Sequence, residues 1–248
     1  MSRATRTAVF VVSAVTLAGL LGWGLAGLPS FGDFDGRYSE LVSRIAVGER
    51  HATDIVATVV FDLRGIDTLG EELILFTAAT GVLTLLRIQR GETEIEADPD
   101  EGRPVGWSAS ARAVCTALVG PVVVLGIYVV SHGHLTPGGG FQGGIVLLAA
   151  FLLLYLGGSR LRDVEPISEL ELAEGVGIVG FALIGLGGLI IAGAYLENFV
   201  DLGQVARPWS GGTIPLLNLA VAIEVLGASL AIVSELLDRK MLSRRREE

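Results

Sequence analysis

The chain has 248 residues, 51% of them hydrophobic, with a mean hydropathy of +0.61. That is too apolar for an ordinary soluble domain, and the 34 glycines suit helices that pack closely in lipid. The net charge of −9 gathers in short polar segments with no basic patch for nucleic acid, and a single cysteine, Cys115, excludes an intrachain disulfide and any cysteine metal centre.

Thr7 to Leu28 is a run of 22 residues without an ionisable side chain, enough to cross a hydrocarbon core of about 30 Å. Arg3 and Arg6 precede it and predict a cytoplasmic N-terminus. The run is longer than the apolar core of a signal peptide and no clear cleavage site follows, so it is read as a retained span. His51 to Leu63 is apolar but too short to cross, and is read as interfacial or re-entrant. Leu69 to Leu86 is the second span, carrying Glu71 and Glu72 near its start.

From Ala113 to Ser159 there are 47 residues without Asp, Glu, Lys or Arg. As one helix they would extend about 70 Å, so the run must fold back. The break falls at Ser131-His-Gly-His-Leu-Thr-Pro-Gly-Gly-Gly140, where Pro137, Gly138, Gly139 and Gly140 interrupt two apolar helices. Gly175 to Leu196, bounded by Glu174 and Glu197, and Ile214 to Leu237, interrupted by Glu224, complete six crossings. This count places Arg3/Arg6, the stretch from Arg87 to Arg112, Arg160/Arg162 and the basic tail on one side, with both termini cytoplasmic. The expected fold is an all-α integral membrane protein with about six transmembrane helices, a Gly/Pro-rich break and one short interfacial or re-entrant segment. Its modules are residues 1–90 with two spans, an acidic linker at 91–106, and residues 107–248 with four spans.

Three constellations bear on chemistry. In Asp62-Leu-Arg-Gly-Ile-Asp67, Arg64 is placed to pair with Asp62 or Asp67, and Asp67 or Thr68 to cap the helix that Glu71 enters. His132 and His134, followed by Pro137, Gly138, Gly139, Gly140, Gly143 and Gly144, form a corner whose backbone must be buried in protein or line water. A tight helix-to-helix joint is the plainer account of the glycines; a proton relay is the alternative for the imidazoles. H-x-H alone lacks a third ligand for a metal, and the glycines lack the ending of a phosphate loop, so neither a metal nor a nucleotide is expected, and no other cofactor. Glu224, with Asn218 six residues before it, sits mid-span, where a charged side chain costs about 2.5–3.5 kcal/mol on insertion scales. It must face the bundle interior or a partner, either as an ion-route residue or as a neutral hydrogen-bonded tie between helices.

His132-Gly-His-Leu-Thr-Pro-Gly-Gly-Gly-Phe-Gln-Gly-Gly144, followed by an apolar helix, resembles the signature of the B subunit of Mrp-type multisubunit Na+/H+ antiporters. Asn218 and Glu224 resemble that family's final helix, so the similarity covers roughly residues 107 to 240. Phe61-Asp-Leu-Arg-Gly-Ile-Asp-Thr-Leu-Gly-Glu71 is similar to the C-terminal region of the family's large A subunit, which stands alone as a small E-type subunit in related membrane-bound hydrogenases. The chain thus looks like a fusion of the A-subunit tail with the B subunit.

The resemblance implies an accessory subunit in the inner (plasma) membrane with A-, C-, D-, E-, F- and G-type partners, moving Na+ and H+ and having no catalytic activity of its own. It implies that Glu71, Glu224, His132, His134 and Asp67 are candidates for an ion or proton route, with Asp62, Arg64 and the glycines as structural elements. Two other readings remain open: the membrane arm of an energy-converting hydrogenase or related redox complex, and a purely structural scaffold.

Overall fold

The computed structural model describes residues 3–28, 32, 36–86, 108–158 and 167–245. The acidic linker 91–106 and the basic residues Arg87, Arg90, Arg103, Arg160 and Arg162 lie outside them. The described elements are α1 (Arg3–Ala26), α2 (Arg37–Gly48), α3 (Ile55–Thr58) continuing into a π-helical turn (Val59–Leu63), α4 (Gly65–Leu86), α5 (Ala109–Ser131), α6 (Gly140–Leu156), α7 (Ile167–Ile191) and α8 (Ile214–Arg245). Every described element is helical, as expected for a backbone that must satisfy its own hydrogen bonds in lipid.

Five helices, α1, α4, α5, α7 and α8, are long and apolar enough to cross a membrane, and α6 is a shorter apolar helix of 17 residues. The chain is a multi-pass membrane protein. It divides into two compact units, Met1–Glu40 and Leu41–Glu248. In the first, α1 buries none of its residues, and its exposed side chains include Phe10, Leu17 and Trp23.

In the second unit α8 is the hub, packed against α4, α5, α6 and α7. Small residues set how close its neighbours come. A Cβ on Gly140 of α6 would lie 2.5 Å from the Asn218 carbonyl oxygen, and one on Gly144 would lie 3.0 Å from Val225. These two contacts advance together, so α6 and α8 run parallel. On α7 the pairing reverses: Gly177 meets Ala220 and Glu224, and Gly227 of α8 meets Leu170 and Glu174, so α7 and α8 are antiparallel.

The segment before α4 is shorter than a crossing. Asp54 caps α3 by accepting from the Ala57 amide at 2.7 Å, and nine residues of α3 and π turn lead to Leu63. α4 begins at Gly65, so Asp67 and Thr68 lie inside its first turn rather than at its cap. The Thr68 hydroxyl donates to the Val60 carbonyl at 2.5 Å, which lets the turn and the helix share one continuous start. Arg64 pairs with the exposed Asp67 at 2.5 Å, whereas the buried Asp62 pairs with Arg50, also at 2.5 Å.

The limits of α7 correct the sequence expectation. The helix runs from Ile167 to Ile191, and Ala192 to Leu196 form a turn with Gly193 at φ 96° and Leu196 at φ 64°. Glu174, expected at a boundary, is therefore two turns inside the helix. An uncharged run marks apolar sequence, but the hydrogen bonds that end this helix come from a glycine turn, where Ala192 and Gly193 both donate to the Gly188 carbonyl.

Candidate functional site

The corner between α5 and α6 is built around backbone approach. Gly139, at φ 129°, holds a conformation that side chains rarely adopt. A Cβ on Gly133 would lie 2.6 Å from the Gly139 Cα, and one on Gly143 would meet the backbone of Val130 and Gly126. The Asn218 side chain completes the joint: its Oδ1 accepts from the Gly140 amide at 2.8 Å, satisfying a first-turn donor of α6, while its Nδ2 donates to the Ile214 carbonyl at 3.2 Å.

The two histidines of the corner differ. His132 is half-buried, stacks on Tyr128 at a centroid distance of 4.2 Å, and lies 3.0 Å from the Ser131 hydroxyl through Nδ1. His134 is fully buried, and its carbonyl accepts from the Thr53 and Asp54 amides, each at 3.1 Å. Neither ring nitrogen of His134 completes a hydrogen bond. Burial pushes this imidazole below its ordinary pKa; the nearby Arg207 and Pro208 backbone opposes the shift only in part, and His132 adds to it. Among the described residues no carboxylate acts on the ring, so the corner and the acidic residues are separate features.

Three acids are buried within the helices of the second unit: Glu72 on α4, Glu174 on α7 and Glu224 on α8, at 0%, 2% and 0% exposure. Glu72 and Glu224 stand within interaction range of each other, and Glu224 also feels Glu174. The approach is close but not aligned: none of the four oxygens of Glu72 and Glu224 has a hydrogen-bond partner, nor has Oε1 of Glu174. Among the described residues, no Lys or Arg is buried beside them. Two carboxyl groups held within interaction range of each other, out of water and without a buried cation, form a site that a proton or a cation would relieve. No group of three or more His, Cys, Asp or Glu among the described residues is placed to hold a metal ion.

The sequence candidates therefore separate. Glu224 is central. Glu71 is exposed on α4 and acts on Glu72 through charge, whereas Glu72 is the residue that turns inward. Asp67 is exposed and paired with Arg64. Glu72 and Glu174 were the residues that sequence reasoning missed, and each had a signal. Gly65, Thr68, Glu72 and Ala79 are the buried positions of α4, spaced by three, four and seven residues; Glu174 and Gly177 share a face of α7 at a spacing of three.

A family model described as a domain related to the MnhB subunit of Na+/H+ antiporter matches residues 110–231. The uncharacterized protein MJ1307 of Methanocaldococcus jannaschii is 36% identical over 189 residues, which cover 69% of this chain and 72% of that protein. A polypeptide of Rhizobium meliloti described as the A/B subunit of a probable K+/H+ antiporter is 26% identical over 213 residues, covering 76% of this chain but only 21% of its own length. Among solved structures, a chain of the membrane-bound sulfane sulfur reductase, an archaeal respiratory membrane complex, superposes with a TM-score of 0.69 at 30% identity and covers 94% of this chain and 98% of its own. The Rhizobium match runs well beyond the 110–231 domain within one A/B polypeptide, consistent with an A-type tail joined to a B-type module. By its domain match and its Methanocaldococcus relative, the chain belongs to the family of proteins related to the MnhB subunit of Na+/H+ antiporters.

Proposed function

We propose that this chain is an accessory membrane subunit of a multisubunit cation (Na+)/proton antiporter, in which the buried Glu72 and Glu224 hold and release protons on an ion route shared with neighbouring subunits. The observation that carries the reading is the facing pair of fully buried, unpartnered carboxyl groups on α4 and α8, with Glu174 beside them and no buried cation among the described residues. Ionisable side chains inside a membrane bundle are costly and mark ion or proton pathways. In this reading A-, C-, D-, E-, F- and G-type subunits surround the chain in the inner (plasma) membrane, and both termini are cytoplasmic. Residues 1–90 form the A-type module and residues 107–248 the B-type module. Glu71, on the exposed face of α4, lies where a neighbour docks; His132 and His134 shape the corner.

A second reading is a subunit in the membrane arm of a redox-driven ion pump. The near-complete coverage of the sulfane sulfur reductase chain at 30% identity favours it. Both readings give the carboxyl pair the same work and differ in what drives it. Purifying the complex through a tag on this chain and identifying its companions separates them: antiporter subunits support the first, iron–sulfur or flavin subunits the second. Cation-dependent proton flux in everted vesicles, lost in Glu224→Gln with the complex intact, is the expected outcome. Unchanged flux in that variant would return Glu224 to a packing role.

A further inference from the structure

The chain between α7 and α8, residues 197–213, is held as a fixed lobe. Asn198 braces it, donating through Nδ2 to the Gly211 carbonyl and accepting at Oδ1 from the Thr213 amide, each at 3.0 Å. The Gly211 amide donates to the Leu202 carbonyl at 3.0 Å and closes the stretch between them into a tight loop. Gly203, at φ 62°, lies so near the Trp209 backbone that a Cβ would collide with the Trp209 carbonyl oxygen. His51 Nδ1 stands 2.6 Å from the Gly203 carbonyl oxygen and pins the loop from another segment. On this fixed backbone Trp209 is 84% exposed and Val205 40%.

The depth of the lobe follows from helix register. Gly177 against Ala220 and Glu224, and Gly227 against Leu170 and Glu174, put Ile214 level with the region of Gly185 on α7. α7 therefore continues from Leu186 to Ile191 past the first residue of α8, a rise of about 9 Å. Those last turns are apolar and open, with Leu189, Ile190 and Ile191 all exposed. The lobe folds back along them: the Leu196 amide donates to the Gly185 carbonyl at 3.1 Å, and Glu197 and Phe199 lie against Gly188 and Gly187. Gly211 packs beside Ile214, and Trp209 is two residues of chain from Gly211, at most about 7 Å. The Trp209 backbone thus stands near the level of the apolar tip of α7, where a membrane helix leaves the hydrocarbon.

Asp201, Gln204 and Arg207 of the lobe are exposed as well. Charged side chains around an open tryptophan suit the headgroup zone, whereas the core of a protein–protein contact is depleted in charge. An indole, apolar across its face and polar at one N–H, settles at that boundary.

We propose that the 197–213 lobe is a lipid-interface anchor: Trp209 and Val205 enter the boundary between headgroups and acyl chains, and Arg207 lays its stem along the lipid and its guanidinium at the phosphates. Through Asn198 and Thr213 the lobe is tied to the start of α8, so it fixes the depth at which the helix carrying Glu224 sits in the bilayer.

Depth-dependent quenching tests this without relying on transport. In a Cys115→Ala background, Trp209→Cys and, separately, Val205→Cys are labelled with bimane in the whole complex reconstituted in lipid. The same complex without a cysteine in this chain supplies the background to subtract. The expected result is that both probes lose emission chiefly to lipids brominated near the headgroup, and little to lipids brominated deep in the acyl chain or to aqueous iodide. Quenching mainly by iodide places the lobe in water, and protection from every quencher places it under a neighbouring subunit; either overturns the anchor. Quenching mainly by deep bromines overturns it too, since the lobe would then lie in the hydrocarbon.

Discussion

At the residue scale, Glu71 and Glu72 show what decides between two neighbouring carboxylates. Successive side chains on a helix are about 100° apart, so only one of an adjacent pair shares the inward face with Gly65, Thr68 and Ala79, and it is Glu72. Glu72→Gln is expected to abolish proton coupling as Glu224→Gln does, while Glu71→Gln retains most of it; flux in everted vesicles, with complex recovery as the assembly control, checks the contrast. The corner yields a different expectation. His134 is held below its ordinary pKa by burial, so the folded state binds a proton more weakly than the unfolded chain does. Stability is then full above the unfolded value of about 6.5 and falls as the pH drops from there toward the depressed folded value. The melting temperature of the detergent-solubilised complex should decline over that acid range in the wild type and decline less in His134→Gln. The Arg50–Asp62 pair bears on folding rather than transport: Arg50→Met leaves Asp62, with a side chain only 4% exposed, without its charged partner. Losing a hydrogen bond to a charged group costs about 1.5–3 kcal/mol, read as a lower thermal midpoint.

At the element scale, packing against α8 rests on glycines that look alike in sequence and differ in surroundings. A Cβ on Gly177 would lie 2.6 Å from the Glu224 Cβ and 2.7 Å from the Ala220 carbonyl oxygen, whereas one on Gly175 would meet nothing within 4 Å. Gly177→Ala is therefore expected to destabilise by about 1–3 kcal/mol through overpacking. Gly175→Ala is expected to be neutral or to gain up to about 1 kcal/mol from helix propensity. Thermal unfolding of the two variants side by side checks this. The same contrast explains what could be read in advance. Apolar runs, uncharged or interrupted only by Glu71, Glu72 and Glu224, located α1, α4, α5, α6 and α8 because each such run is long enough to be a span or has a Gly/Pro break beside it. They misplaced α7 because its helix begins among Glu169, Glu171 and Glu174 and ends at a glycine turn within apolar sequence. The glycine corner was legible as a helix joint; that Asn218 supplies the hydrogen bond to Gly140 was not, since the two residues are 78 positions apart.

At the scale of the whole molecule, α8 meets three of its neighbours through overlapping sets of residues: Asn218 and Val221 toward α6, Ala220 and Gly227 toward α7, and Glu224 toward both α7 and α4. The ribosome makes α4 to α7 before it makes this shared partner. During that interval Glu72 of α4 and Glu174 of α7 lack the helix toward which they are buried, and an ionised side chain exposed to lipid is expelled toward the headgroups. In the reading proposed above, a proton on each of these acids would serve membrane insertion as well as transport. A nascent chain stalled before Ile214 presents a lipid-facing carboxylic acid with no companion, the kind of feature by which membrane quality control distinguishes an unfinished chain from a complete one.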